Sequence, residues 1–128
     1  MKYLLDTHAL LWYTLDEGQL SSLVISIIAD RQNQILFSPA SYWEIAIKVS
    51  IGKLSLNQAY EDFIDICLQQ YDFSILSILP KHTAWLINLP FHHKDPFDRL
   101  LIAQALSEGI PLISVDTKFD NYGVNRLW

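Results

Sequence analysis

The sequence is poor in several things, and each shortage excludes something. Cys67 is the only cysteine in the 128 residues, so no internal disulfide can form, and a reducing, cytoplasmic setting is expected. Its place in a helical apolar pattern marks it as a small buried side chain. No apolar run approaches the roughly 20 residues needed to span a bilayer. Asp6 also interrupts the apolar N-terminus too early for a secretory signal. A soluble protein with no membrane partner is therefore expected. Basic excess is missing as well: the formal net charge is −5, whereas proteins that bind nucleic acid nonspecifically usually display a positive face. A group of acids occupied by a divalent cation would be less negative than that count implies, and Lys48, Lys53, Arg99, Lys118 and Arg126 are candidates for a local basic patch, with a solvated face the expected role for most of them. Repeats, low-complexity tracts and linkers are absent too. What remains, 51% hydrophobic residues, is enough to bury the core of a single domain over residues 1–128.

The pattern along the chain alternates short apolar strands with helices. Residues 2–5 read as a buried strand running into Asp6, and residues 7–15 as a helix. Leu23, Val24, Ile27 and Ile28 recur at helical spacing, and residues 35–37 form a second strand closed by Ser38-Pro39. Ser41 and Glu44 have capping-box spacing, which predicts a helix beginning at Ser41 and ending near Gly52. Asn57 can cap the next helix, whose Tyr60, Phe63, Ile64, Cys67 and Leu68 make an apolar stripe. A strand is expected over residues 73–79, a helix over 80–89 with Trp85 available for packing, and an exposed connector over 90–94.

Asp95 then reads as an N-cap with Pro96 at the first helical position, opening a helix that Gly109 and Pro111 terminate. A strand over residues 112–115 ends near Asp116, and a last strand is expected over 124–127. Strands apolar on both faces and separated by helices argue for an α/β three-layer sandwich around a mostly parallel sheet. Ligands in such sheets bind beyond the carboxyl ends of the strands.

Four acids fall at such places. Asp6 and Asp116 end apolar strands, while Glu44 and Asp98 occupy the first turns of helices. Each has an ordinary local role when taken singly. Asp6 can cap its helix, Glu44 can pair with Ser41 or Lys48, Asp116 can open a turn with Thr117, and Asp98 can complement a helix dipole beside Asp95, itself placed to pair with Arg99. Asp98 is the least ordinary, because it shares a helix face with Leu101, Ile102 and Ala105. Carboxylates gathered on that side of a sheet repel one another, and a divalent cation would relieve them. Oxygen donors without a Cys/His set suit Mg²⁺ or Mn²⁺, and phosphodiester hydrolysis is the chemistry such a site would support.

LLDTHALLW, SPASYWEIAIK, HHKDPFDRLLIAQA and PLISVDTKFDNY, in this order and spacing, resemble the PIN-domain ribonucleases, and within them the VapC-like toxins of bacterial toxin–antitoxin pairs. The resemblance covers essentially the whole chain. It implies a PIN-like fold and a nuclease that cuts RNA, with Asp6, Glu44, Asp98 and Asp116 as metal ligands for Mg²⁺ or Mn²⁺. It also implies a homodimer and a cognate antitoxin whose tail covers the site. Asp120 is a rival to Asp116, Asp95 is a cap or an outer neighbour of the metal, and Thr7 and Ser114 could assist by hydrogen bonding.

The other conspicuous residues have plainer readings. His92 and His93 are adjacent and cannot easily aim at one ion, so a loop surface is expected for both. A packed or solvent-facing ring is expected for His8, and core or interface packing for Trp12, Tyr42 and Trp43 rather than base stacking. Exposed apolar residues such as Trp12, Trp43 and Ile47 could serve a protein contact. A catalytically inactive binding module on the same fold is the alternative to the nuclease. A phosphatase or phospho-receiver fits less well, since no second acid stands two residues beyond Asp6.

Overall fold

A computed structural model describes residues 1–128 and builds one sheet from five short strands: β1 (Lys2–Leu5), β2 (Gln34–Phe37), β3 (Ser74–Ile75), β4 (Leu112–Ile113) and β5 (Arg126–Leu127). The strand order is β3-β2-β1-β4-β5 and every pairing is parallel, with Leu4 opposite Leu36 on one side and Leu112 on the other. Parallel pairing places the carboxyl ends of all five strands along one edge.

Helices cover both faces, because the strands are apolar in both directions. Tyr3, Leu5, Ile35, Phe37 and Ile113 point to one side, where they pack against α1 (Thr7–Thr14), α2 (Ser22–Ala29), α4 (Tyr60–Gln69) and Ile45 of α3 (Pro39–Ser50). Leu4, Leu36 and Leu112 point to the other, against Leu101, Ile102 and Ala105 of α6 (Pro96–Glu108) and Phe119. The three-layer α/β sandwich is thus produced by the period-two alternation of the strands. Cys67 is buried in the first of these cores, and burial pushes its thiol up to about 12, which makes it a packing residue.

Several local readings need correction. Ser38, not Ser41, caps α3: its hydroxyl accepts from the Ala40 N–H at 3.1 Å, and Pro39, whose φ is preset for a first helical position, starts the helix. Ser41 lies inside the helix, fully buried, where its Oγ accepts from the Thr7 hydroxyl at 3.0 Å. Glu44 consequently sits one turn deeper than the capping-box spacing implies. Asn57 does not cap α4; the cap is Ala59, without a side-chain hydrogen bond, and the helix rests on its buried Phe63 and Cys67. The strand expected over 73–79 pairs only at Ser74–Ile75. Trp85, on α5 (Pro80–Leu86), is 46% exposed rather than packed.

The start of α6 follows the reading of its sequence. Asp95 caps it by accepting from the Phe97 N–H at 2.8 Å, Pro96 occupies the first turn, and Gly109 closes it in the left-handed conformation at φ 65°. The proposed Asp95–Arg99 pair does not form. Arg99 turns inward instead, donating to the carbonyls of Pro90 at 2.7 Å and Leu89 at 3.2 Å with Phe91 against its guanidinium. It therefore ties the connector to α6 and belongs to no basic patch. At the other end of α6, the buried His82 of α5 accepts the Leu79 N–H at Nδ1 and meets Glu108 at Nε2, both at 3.0 Å.

Candidate functional site

The four acids arrive by four routes, each fixed by the local chain. Asp6 follows β1 and caps α1, accepting from the Ala9 N–H at 2.7 Å. Asp116 follows β4 and caps the 3-10 turn Thr117–Tyr122, accepting from the Lys118 N–H at 3.0 Å. Asp98 lies in the first turn of α6, and Glu44 lies on α3, which packs against both α1 and α6. Because the strand ends share one edge of the sheet, these entries converge.

Asp6, Asp98 and Asp116 line a single cavity of about 380 Å³ together with His8, Trp12, Val115 and Phe119. Glu44 is not among its walls, but its charge reaches Asp98. Larger cavities lie elsewhere, one of about 500 Å³ under Trp12 and Tyr13 and one of about 630 Å³ around Arg31 and Asp72. Each of these has two acids in its lining, but neither brings together three acids beyond the carboxyl ends of the strands, so size does not mark the site and chemistry does.

The electrostatics show crowding. Burial pushes the Asp6 carboxyl up, against the opposing hydrogen bonds from Ser114 and the Ala9 amide. Asp98 is pushed up to about 7, first by burial and then by the charges of Asp95, Glu44 and Asp6, with His93 acting in the opposite sense. Partial burial also works against ionisation of Asp116, but the His93 hydrogen bond, the Lys118 amide and nearby positive charge outweigh it and hold this carboxyl below its ordinary value. An uncompensated set of acids of this kind attracts either protons or a cation.

Glu44 adds an independent sign. One of its oxygens pairs with Lys48 at 3.1 Å, as the i,i+4 spacing predicts, while Oε1 is buried and has no hydrogen-bond partner. An orphaned carboxylate oxygen next to crowded acids fits the outer or inner neighbourhood of a divalent ion with oxygen ligands. Donor atoms of Asp98 and Asp116 lie within 4.8 Å of one another and of His93, close enough for the two carboxylates to face one ion, while His93 Nε2 is already engaged with Asp116 Oδ2 at 2.9 Å.

Asp120 and Asp95 are engaged otherwise. Asp120 is exposed and held by Arg126, with Nε donating to Oδ1 at 2.8 Å and Nη2 to Oδ2 at 3.2 Å. Asp95 spends its Oδ1 on the amides of Phe97 and Asp98. Thr7 supports Ser41, and Ser114 both accepts the Asp116 N–H at 3.1 Å and contacts Asp6.

His93 departs from its sequence reading. It is not on a loop surface but buried, 9% exposed, with Nε2 at 2.9 Å from Asp116 Oδ2. Nothing in the HHKD run foretells this. The burial comes from the 3-10 turn, whose Phe119 and Tyr122 pack on the ring from a position 26 to 29 residues onward. His92 does remain exposed, and His8 is exposed beside Trp12, their ring centres 5.5 Å apart. Trp43 is 61% exposed and meets Phe97 edge-on at 5.2 Å.

Comparison with known proteins agrees with this architecture. The chain is similar to VapBC2 from Rickettsia felis, solved bound to a DNA fragment from its promoter, with a TM-score of 0.74 and 18% identity over 99% of this chain and 98% of that one. It is similar to FitAcB from Neisseria gonorrhoeae, with a TM-score of 0.66 and 19% identity over 98% and 96% of the two chains. It is also similar to VapBC-1 from nontypeable Haemophilus influenzae, with a TM-score of 0.62 and 23% identity over 99% and 97%. At these identities the likeness is one of fold. A curated relative, Ribonuclease VapC16 of Mycobacterium tuberculosis, is 37% identical over 59 residues, a segment that spans 46% of this chain and 42% of that protein. The PIN domain model matches residues 3–125, nearly the full length, and the chain belongs to the PIN domain family.

Proposed function

We propose that this protein is a divalent-metal-dependent endoribonuclease, the toxin of a toxin–antitoxin pair, which hydrolyses RNA phosphodiester bonds and is held in check by a cognate antitoxin. Residues 1–128 act as one domain, in the cytoplasm and as a homodimer. The observation that carries the reading is the convergence of Asp6, Asp98 and Asp116 on one cavity, with Asp98 pushed up to about 7 by burial and like charge. Names among the similar proteins, a ribonuclease and two VapBC structures, support the substrate class and the partner.

Asp6, Glu44, Asp98 and Asp116 would hold Mg²⁺ or Mn²⁺. When bound, the ion supplies Lewis acidity at a phosphate oxygen and makes a bound water a better nucleophile near neutral pH. The chain supplies the rest. Asp6 is held by the Ala9 amide and Ser114, so its carboxylate is oriented before anything binds. Glu44 presents a carboxylate oxygen with no other partner. Asp98 carries a proton in part of the population near neutral pH, and that proton leaves as positive charge enters the site. No side-chain nucleophile is needed, and no Ser, Thr or Cys stands among the cavity walls.

The test is cleavage of RNA by the purified protein with Mg²⁺ or Mn²⁺, compared with Asp6→Asn and Asp98→Asn. Both variants are expected to lose cleavage by several orders of magnitude while remaining folded. Full activity in both would refute the assignment. Calorimetry with Mn²⁺ tests the alternative of an inactive binding module, since a folded protein that takes up no metal would favour it.

A further inference from the structure

His93 stands beside the acid cluster, yet the reading above gives it no work. We propose that His93 is a positioning residue: clamped by Tyr122, its imidazole fixes the Asp116 carboxylate in the orientation that offers its remaining lone pairs to a divalent cation. The inference rests on the metal-dependent reading of the site and adds a residue to it.

Asp116 needs such help. It follows a two-residue strand and caps a short 3-10 turn, and its side chain is 37% exposed. Left to the Lys118 amide alone, which binds Oδ1 at 3.0 Å, the carboxylate could rotate about that contact. The second contact, from His93 Nε2 to Oδ2 at 2.9 Å, removes this freedom. Each carboxylate oxygen keeps a lone pair for another partner, so the orientation is set without consuming the ligand.

His93 is itself held firmly. Its side chain is 7% exposed, with the rings of Phe119 and Tyr122 centred 4.8 Å and 5.5 Å away. Its backbone N–H donates to Tyr122 Oη at 2.6 Å, and Tyr122 Oη lies 3.3 Å from Nδ1. One assignment of hydrogens satisfies the whole chain of contacts: the backbone amide donates to Tyr122, the Tyr122 hydroxyl donates to Nδ1, and Nε2–H donates to Asp116. Tyr122 and Asp116 stand at opposite ends of the same 3-10 turn. One buried ring therefore pins both ends of the turn and aims the acid at its head. Outer partners of this kind orient carboxylate ligands, and their removal typically costs about 10- to 100-fold in metal affinity.

The experiment measures Mn²⁺ binding to the purified full-length protein by calorimetry, for wild type, His93→Phe, His93→Gln and Tyr122→Phe. His93→Phe keeps a ring against Phe119 and removes the donor, so Mn²⁺ affinity should fall about 10- to 100-fold while the melting curve without metal changes little. His93→Gln returns an N–H donor of similar reach and should recover most of the affinity. Tyr122→Phe leaves His93 in place but frees its ring and should weaken binding by a smaller factor. It carries the test alone if His93→Phe does not fold.

Wild-type affinity in His93→Phe, or in Tyr122→Phe where that variant stands alone, would overturn the inference. So would nitrogen hyperfine coupling from a directly bound imidazole in pulsed EPR of the Mn²⁺-loaded wild type. If the wild type itself neither binds Mn²⁺ nor cleaves RNA, the nuclease reading fails and this inference fails with it. Wild-type binding and cleavage, with no loss in the variants, removes His93 alone.

Discussion

Replacing Asp98 by Asn should stabilise the metal-free protein while abolishing its cleavage of RNA. The carboxyl is pushed up to about 7 from an ordinary 3.8, first by burial and then by Asp95, Glu44 and Asp6. Between those two values the folded chain binds more protons at this position than the unfolded chain does, so stability falls as pH rises through the window, and the loss is complete above the folded value. At about 1.4 kcal/mol per tenfold change in proton affinity, the displacement sets a ceiling of about 4 kcal/mol. Asp98 is only half-buried, and screening by solvent reduces the figure to about 2 kcal/mol. An amide in the first turn forgoes about 0.5 kcal/mol of interaction with the helix dipole. The net gain for Asp98→Asn at pH 8 is then about 1.5 kcal/mol, a rise in Tm of about 6 °C for a chain of this size. Below the ordinary carboxyl value the two proteins should melt together apart from that small dipole effect. The assay is thermal unfolding followed by circular dichroism in EDTA, at pH 8 and at pH 3.5. Saturating Mn²⁺ should invert the order at pH 8, since at 100 times its Kd the ion stabilises the wild type by about 2.7 kcal/mol. An Asn variant that is folded but melts at or below wild type at pH 8 in EDTA would refute the claim that the acids are crowded.

Other outcomes follow from the same contacts. Asp120→Asn, which disturbs only the exposed pair with Arg126, should leave RNA cleavage at the wild-type rate and cost no more than about 1 kcal/mol in urea unfolding. Arg99→Lys should not preserve stability: it loses the forked contact with the Leu89 and Pro90 carbonyls and the Phe91 stack, at about 2 kcal/mol, read as a lower denaturant midpoint. Ile102→Ala, at a fully buried position in the core between α6 and the sheet, should cost about 3 kcal/mol in the same assay.

Features set by neighbours in the chain were open to reading, and features set by tertiary contact were not. The start of β1, the apolar stripe of α4 and the whole of α6 with its Asp95 cap and Gly109 stop depend on residues within a few positions of one another, and the fold uses them as read. Ser41 misled because capping-box spacing is also what a helix already under way can show. Pro39 at the first position and Ser38 ahead of it outrank it, and the buried Thr7 contact then gives Ser41 another role. An apolar run overstates the length of a strand where it turns away from the sheet, as beyond Ser74–Ile75. Leu76 still donates its N–H to the Phe37 carbonyl at 2.9 Å, but the chain then leaves, and the Gln104 side chain meets the Leu76 and Ser77 carbonyls instead of a neighbouring strand. Arg99 and His93 were opaque for a related reason. A charged or imidazole side chain in a polar run is solvated by default, and only the partners that close over it from elsewhere in the fold reverse that default.

The acids were individually ambiguous for a reason the structure makes physical. Capping and ligation do not compete at these positions. Asp6 and Asp116 each give one oxygen to a backbone amide of the element they open. At Asp116 the other oxygen meets His93 Nε2 at 2.9 Å, so cap and imidazole together set the carboxylate's direction toward the cavity; at Asp6 the cap is joined by Ser114. A helix or turn entrance is thus a good place for a ligand carboxylate, because the amides that satisfy it locally also lower the cost of keeping it ionised in a buried setting. Asp98 marks the limit of that device. Its own first turn is capped by Asp95, so the nearest carboxylate adds repulsion instead of relief, and Glu44 adds more. The charge of Asp98 therefore depends on what enters the cavity, and its protonation should report occupancy more sensitively than that of Asp116, which is held below its ordinary value. Carboxyl carbon chemical shifts of Asp98, followed through a titration with Mg²⁺ at pH 7, should move to the fully ionised value as the metal binds. Shifts that stay fixed while other signals report binding would place the ion away from this residue.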